Sequence, residues 1–414
     1  MKRVVVTGMG IWSCIGQDLE SVTESLKMGR SGIIFDAKRI EVGLHSGLIG
    51  NVPRPSLKPL LARKYRATMS EDTEYAYMAA RQAFTQAGIE DSYLQNNEVG
   101  VIFGNDGNSH ILDYVSVMEQ ERDSHMLGPN ALFQSETSSV TMNLSTIFHI
   151  KGINMCVGAA CASSSHAIGL ASMYIRQGMQ NLILVGGSCA MDMRGGAGAD
   201  AIEAVSVRNN EPTLASRPFD NDRDGMVPSG GAAALVLEEY EHAVARGATI
   251  LAEVCGYGFS SNGIDDISAP SADAEYRAMK RALDDAGMMP SDIDYVNAHG
   301  TSTPVGDIEE AKALTQLFGA NIKPYISSTK SMTGHENWMA GASEAVYSIL
   351  MMQHGFVAPN INLKNKIKEA KGLNIVSQMI ETPICTVLSN SSGMGGTNSA
   401  LVLRAVSNQQ SAKN

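Results

Sequence analysis

The feature that most constrains this chain is that it repeats itself. Residues 74–88, EYAYMAARQAFTQAG, match residues 275–287, EYRAMKRALDDAG, in the helical spacing of small and apolar side chains and in the closing glycine. Each is followed by a short connector and a β-branched run ending in glycine, VGVIFG in one half and DYVNAHG in the other. The strand-plus-glycine openings VVVTGMG and AEVCGYG form a second matching pair. One unit used twice over 414 residues predicts two halves of a single α/β fold, 1–245 and 246–414, rather than two unrelated domains. Functional loops then belong at the carboxyl ends of the strands, where the halves face each other.

Alternation of β-branched runs with longer Ala/Leu/Met-rich runs supports the α/β reading. Strands are predicted at 3–7, 99–103, 182–185, 232–237, 295–297, 386–389 and 400–403, and helices at 72–87, 164–177, 272–286, 308–317 and 340–354. The Gly/Asn/Asp/Pro-rich stretch at 192–224 reads as loop with short helical pieces. With 44% apolar residues the chain can build a sizeable core. A net charge of −11 argues against general binding to nucleic acid or anionic membranes. No apolar run approaches the roughly 18 residues of a membrane span. The N-terminus, three valines before a glycine turn, lacks the apolar stretch of a signal peptide. Six scattered cysteines (14, 156, 161, 189, 255, 385) without CxxC suit reduced thiols, so a cytoplasmic location is expected.

Several motifs fail on inspection. TGMGIWSCIG follows a strand, with Asp36 downstream, but Ser13 occupies the third glycine position of a dinucleotide fingerprint. DNDRDG at 220–225 begins like a calcium loop, yet its twelfth position is Gly231 rather than Glu, which leaves a polar turn. GGSCA at 186–190 lacks the last glycine of a serine-hydrolase elbow.

GAACASSSHAIGLASMYI, residues 158–175, is different. An apolar run ends in small residues and Cys161 opens a helix, whose positive end favours thiolate and whose free N–H groups suit an oxyanion. Taken alone, a cysteine among alanines packs as a small hydrophobe. NAHGTSTPVGD adds His299 on a Gly/Ser/Thr turn, and SSTKSMTGHENWMAGASE adds Lys330 and His335 in a loop leading to a helix. One cysteine, two loop histidines and a lysine at equivalent strand-to-helix turns make a catalytic set. Zinc held by Cys161, His299 and His335 is a competing reading, though no two of them have the close spacing of a ligand pair.

On these residues the chain resembles the elongating β-ketoacyl-acyl-carrier-protein synthases, types I and II, of the thiolase superfamily. ACASS, SRPFDNDRDG, NAHGTSTPVGD, STKSMTGH and GGTN occur in the family's order and spacing, and MMQHGFVAPNINL followed by GLNIV is similar to type I. The resemblance covers nearly the whole chain. It implies the duplicated five-layer α/β/α/β/α thiolase fold, and a decarboxylative condensation extending a fatty-acid-like chain by two carbons. It implies Cys161 as nucleophile, His299 and His335 as the pair acting on malonyl thioester, and Lys330 with Glu344 as a supporting pair. The backbone N–H groups of Cys161 and Met394 would hold an oxyanion, and Thr301 and Thr303 would face the phosphopantetheine arm. It implies acyl carrier protein as partner, a dimer of identical or different subunits, and no metal or other cofactor.

The chain departs from the family around the substrate. Ser392 and Met394 stand where aromatics are usual, Ala199 matches a pocket phenylalanine, and Met226 follows DRDG in place of another. Bulk enters after His335 as Trp338 and Met339, and polarity enters the GNDGN turn as Asp106 and Asn108. Lysines that often meet the carrier near 132–136 are absent. Arg63, Lys64 and Arg66, in KPLLARKYR, are the dense basic segment left for docking, against the bland alternative of a solvated helix face. A specialised ketosynthase for polyene, aryl or other secondary chains is therefore the alternative function. A non-catalytic chain-length partner is opposed by the intact Cys161, His299 and His335, and a degradative thiolase by both histidines and Lys330.

Overall fold

The computed structural model describes residues 1–107, 110–191, 196–319 and 323–406. Ten strands form one mixed sheet: β1 Val4–Trp12, β2 Gly100–Gly104, β3 Asn154–Val157, β4 Leu182–Cys189, β5 Gly231–Glu239, β6 Ala252–Ser261, β7 Tyr295–Asn297, β8 Tyr325–Ser327, β9 Thr386–Gly393 and β10 Thr397–Arg404. Their spatial order is β8-β7-β9-β10-β6-β1-β5-β4-β2-β3. Within each half the order is third, second, fourth, fifth, first, with the same pattern of parallel and antiparallel neighbours. The halves join where β1 meets β6 antiparallel, Val5 opposite Glu253 and Val6 opposite Ala252. The predicted duplication is thus a duplication of topology, and the equivalent runs VGVIFG and DYVNAHG become the second strand of each half.

The paired helices are α1, Glu71–Ala87, and α3, Ala272–Ala286, on either side of α2, Ser163–Arg176, in chain order. Both α1 and α3 start at a serine cap, Ser70 and Ser271, and end at a left-handed glycine, Gly88 and Gly287. Each packs closely on its strand. A Cβ at Gly10 would lie 2.0 Å from Ala79 O, and one at Gly258 would lie 2.0 Å from Ala278 O. The glycines of VVVTGMG therefore sit inside the continuous strand β1 and admit a helix, which corrects the expectation of a glycine turn after the valines.

After α4, Gly306–Phe318, comes α5, Ala340–His354. Helix α5 buries every residue from Ala340 to Met351, its one charged member, Glu344, being paired with Lys330. Together α2 and α5 form the central layer, between the two half-sheets, with α1 outside one and α3 and α4 outside the other. That is the five-layer arrangement. No helix among the described residues is long and apolar enough to cross a membrane.

Candidate active site

Three strand ends deliver the reactive groups. Cys161 lies in a one-turn 3₁₀ helix, Ala160–Ala162, between β3 and α2. The turn is sharp: Ala160 takes a positive φ of 46°, its N–H donates to Asp106 Oδ2 at 2.6 Å, and Ser163 Oγ bonds both Ala159 N–H and Ala160 O. Cys161 thus precedes the α-helix by one short turn. The N–H of Met394, in the turn between β9 and β10, approaches the thiol, as does the N–H of Cys161 itself. These favour thiolate, and so does Lys330, but burial outweighs them and pushes the thiol above its ordinary value. The expectation of a lowered thiol is corrected: in the free chain desolvation dominates the helix end.

His299 follows β7. Its backbone N–H and that of Gly300 donate to the two oxygens of Glu310, at 2.7 and 2.6 Å, and Asn390 Nδ2 adds a third bond to that carboxylate at 2.9 Å. Glu310, on α4, thereby fixes the histidine turn. His335 follows a short helix, Lys330–Thr333, after β8. Its N–H donates to Val227 O at 2.7 Å, and its Nδ1 accepts the Asn337 N–H at 3.3 Å. An accepting Nδ1 puts the proton of the neutral ring on Nε2. The two imidazoles stand edge-to-face with centroids 5.3 Å apart. Burial, followed by the charge of Lys330, holds both well below the ordinary histidine value, so both are uncharged at neutral pH.

Lys330 and Glu344 form a fully buried ion pair behind this layer. Burial pushes the Glu344 carboxyl up while Lys330 pulls it down. Asn297 Oδ1, Glu344 Oε2, Ser389 Oγ and Asn390 Oδ1 have no hydrogen-bond partner, and Ser389 pairs with Asn297 in the sheet. Such oxygen donors suit a hard cation, not zinc. Among the described residues no group of three or more His, Cys, Asp or Glu is placed to hold a metal.

Cys161, His299 and His335 line one cavity of about 480 Å³, with Thr301, Thr303, Met226, Ser392 and Met394 in its wall. The Thr301 and Thr303 hydroxyls are 3.0 Å apart, and Met394 is 53% exposed at the mouth. Ala199 and Trp338, both expected at the substrate, do not line this cavity. Ala199 sits half-buried on a short helix, Ala197–Ala201, anchored by Asp200 through the His45 and Ser46 N–H groups. The Trp338 ring lies instead against the GNDGN turn, where a Cβ on Gly107 would come within 2.6 Å of it. Asn108 lies outside the described residues. Arg63 and Lys64 are exposed on a one-turn helix, whereas Arg66 is half-buried and donates to Leu61 O at 3.1 Å.

The DNDRDG segment is the polar turn expected. Asp220 accepts the Asp222, Lys364 and Asn365 N–H groups, and Arg223 clamps the histidine turn through Thr303 O at 2.9 Å. Sequence reasoning missed Glu310, Asp307 and Asn337. Asp307 accepts the Ser302 and Phe219 N–H groups, at 3.0 and 2.7 Å. The run VGDIEE beside the histidine motif carried the signal for the first two; nothing local marked Asn337, whose contribution is a backbone N–H.

A duplicated five-layer fold that presents a thiol and two neutral histidines to one cavity defines a thiolase-type acyl-transferring enzyme. The chain belongs to the β-ketoacyl synthase family: residues 1–243 match its N-terminal domain and residues 251–364 its C-terminal domain. It is 42% identical to the 3-oxoacyl-[acyl-carrier-protein] synthase 1 of Escherichia coli K12, over 98% of this chain and 99% of that protein. A β-ketoacyl synthase crystal structure from Burkholderia phymatum superposes with a TM-score of 0.93 at 36% identity, covering 98% of this chain and 100% of that one. The ishigamide ketosynthase/chain length factor gives 0.91 at 30% identity, covering 98% and 99%.

Proposed function

We propose that the chain condenses an acyl group held on Cys161 with malonyl-acyl-carrier protein, releasing carbon dioxide and extending the acyl chain by two carbons. Cys161 attacks the acyl thioester, and the departing carrier thiol takes up the proton that Cys161 loses. Loss of carbon dioxide from the malonyl group leaves its electron pair in an enolate, whose oxygen accepts from His335 Nε2–H and from His299. The enolate carbon attacks the acyl carbonyl, the oxyanion sits between the Cys161 and Met394 N–H groups, and Cys161 leaves as thiolate. One observation carries this reading: a single cavity joins a thiol under the Met394 N–H to two uncharged histidines. Charged imidazoles would leave no neutral donor pair of this kind.

Purified protein given acyl-carrier and malonyl-carrier protein should yield a 3-oxoacyl product by mass spectrometry. Acylation of Cys161 without carbon–carbon bond formation would defeat the proposal. Arg63 and Lys64 serve as the carrier-facing charges in this reading, Thr301 and Thr303 hold the arm, and a dimer in the cytoplasm is the expected setting. All six cysteines are free, which suits a reducing setting.

A second reading, a specialised ketosynthase, is favoured by the wall beside Cys161. Met226, Ser392 and Met394 stand in that wall where the resemblance expects aromatics, and Glu275 adds a buried acid to it. Flexible and polar side chains there suit an oxygenated or irregular acyl chain better than a plain saturated one.

A further inference from the structure

A second buried acid faces the catalytic cavity and takes no part in the chemistry above. Glu275, in the first turn of α3, is 2% exposed and lies in the cavity wall beside Ser392. Neither Glu275 Oε2 nor Ser392 Oγ has a hydrogen-bond partner in the protein. The hydroxyl is near enough to temper the carboxyl's charge, yet the two stand outside hydrogen-bond geometry. Buried polar oxygens are almost always paired, so two unpaired ones on one cavity wall point to a ligand group that pairs them. Ser392 is two residues from Met394, whose N–H meets the thiol, and the pair lines the same cavity as Cys161.

We propose that Glu275 and Ser392 form a polar specificity subsite for a hydroxyl or carbonyl oxygen carried by the acyl or extender group, close to its thioester. The inference rests on the condensing reading above. Burial, and then Glu310, hold the Glu275 carboxyl well above the ordinary range, which favours the protonated acid, able both to donate and to accept. A hydrocarbon at that point would leave both oxygens unpaired, whereas an oxygenated substrate pairs them.

The test compares octanoyl with 3-hydroxyoctanoyl, and malonyl with hydroxymalonyl, all on one carrier protein. Readouts are Cys161 acylation by intact-protein mass and kcat/KM of condensation. The native protein should favour the hydroxylated member of at least one pair by roughly tenfold or more. Glu275→Ala should erase that preference, and Glu275→Gln, which still donates and accepts, should keep most of it. No preference in either pair overturns the subsite, as does a preference that survives Glu275→Ala. An equal fall for every carrier-bound substrate in Glu275→Ala also overturns it, since the pair would then face the shared pantetheine arm. Absence of any Cys161 loading in the native protein is a different result, defeating the condensing reading itself.

Discussion

Glu336, next to His335, makes the stability of this fold depend on pH in a calculable way. It is 1% exposed, and its carboxyl accepts the Ser343 hydroxyl at 2.6 Å and the Tyr347 hydroxyl at 2.9 Å. Burial outweighs these bonds and the charge of Lys330, and pushes the group from an ordinary 4.5 to about 7. The folded chain therefore keeps a proton over a range in which the unfolded chain has released it. Stability from this group is full below about 4.5 and is lost as pH rises to about 7, beyond which it changes no further. At about 1.4 kcal/mol per pH unit, the loss is about 3 kcal/mol. Glu336→Gln is nearly isosteric, still bonds both hydroxyls and cannot titrate. Asp307 and Glu344 rise in the same sense but are present in both proteins, so the difference is dominated by Glu336, with a smaller part from Glu344, whose carboxyl the Glu336 charge also pushes up. Urea unfolding of both proteins from pH 5 to pH 8 should give a stability difference that shifts toward the variant by about 2–3 kcal/mol as pH rises. A difference curve flat to within about 1 kcal/mol, or one of opposite slope, would refute the argument that burial controls this carboxyl.

Cys161→Ser should lose acyl loading by at least about a thousandfold, read by mass spectrometry, because the hydroxyl is far less acidic than the thiol. His299→Ala and His335→Ala should each cut malonyl-carrier decarboxylation about 10²–10³-fold while leaving acylation within several fold; the reverse pattern would refute their action on the enolate. Gly10→Ala and Gly258→Ala should each cost about 1–3 kcal/mol in thermal unfolding, since both place a methyl against a helix carbonyl at the same distance. Unequal effects beyond that range would mean that the two halves pack differently. Reversing charge at Arg63 and Lys64 should raise KM for carrier-bound substrate and weaken its salt dependence, with kcat held; an unchanged KM would move docking elsewhere.

Much of this was legible before any coordinates, because it is encoded locally. The repeat of 74–88 in 275–287 carried apolar spacing and closing glycines, which are properties of neighbours in the chain, and with the matched strand-plus-glycine runs these pointed to two copies of one topology. That Cys161, His299 and His335 would share one cavity was readable for the same reason: each sits in a short motif at the end of a strand, and the order of strands brings such ends together. Whether a residue meets the cavity was not readable in this way. Trp338 follows His335 closely, yet its ring packs on Gly107, while Glu275, which starts a repeat helix and looks like an ordinary first-turn acid, faces the cavity beside Ser392, 117 positions on. Protonation belonged to the tertiary structure alone. A helix end favours thiolate at Cys161, but desolvation depends on everything packed around the sulfur, and it reverses the sign; the same burial leaves His299 and His335 neutral and lets them act as donors. Spacing along a chain records which groups are present, and only the packed interior determines how much water each one loses.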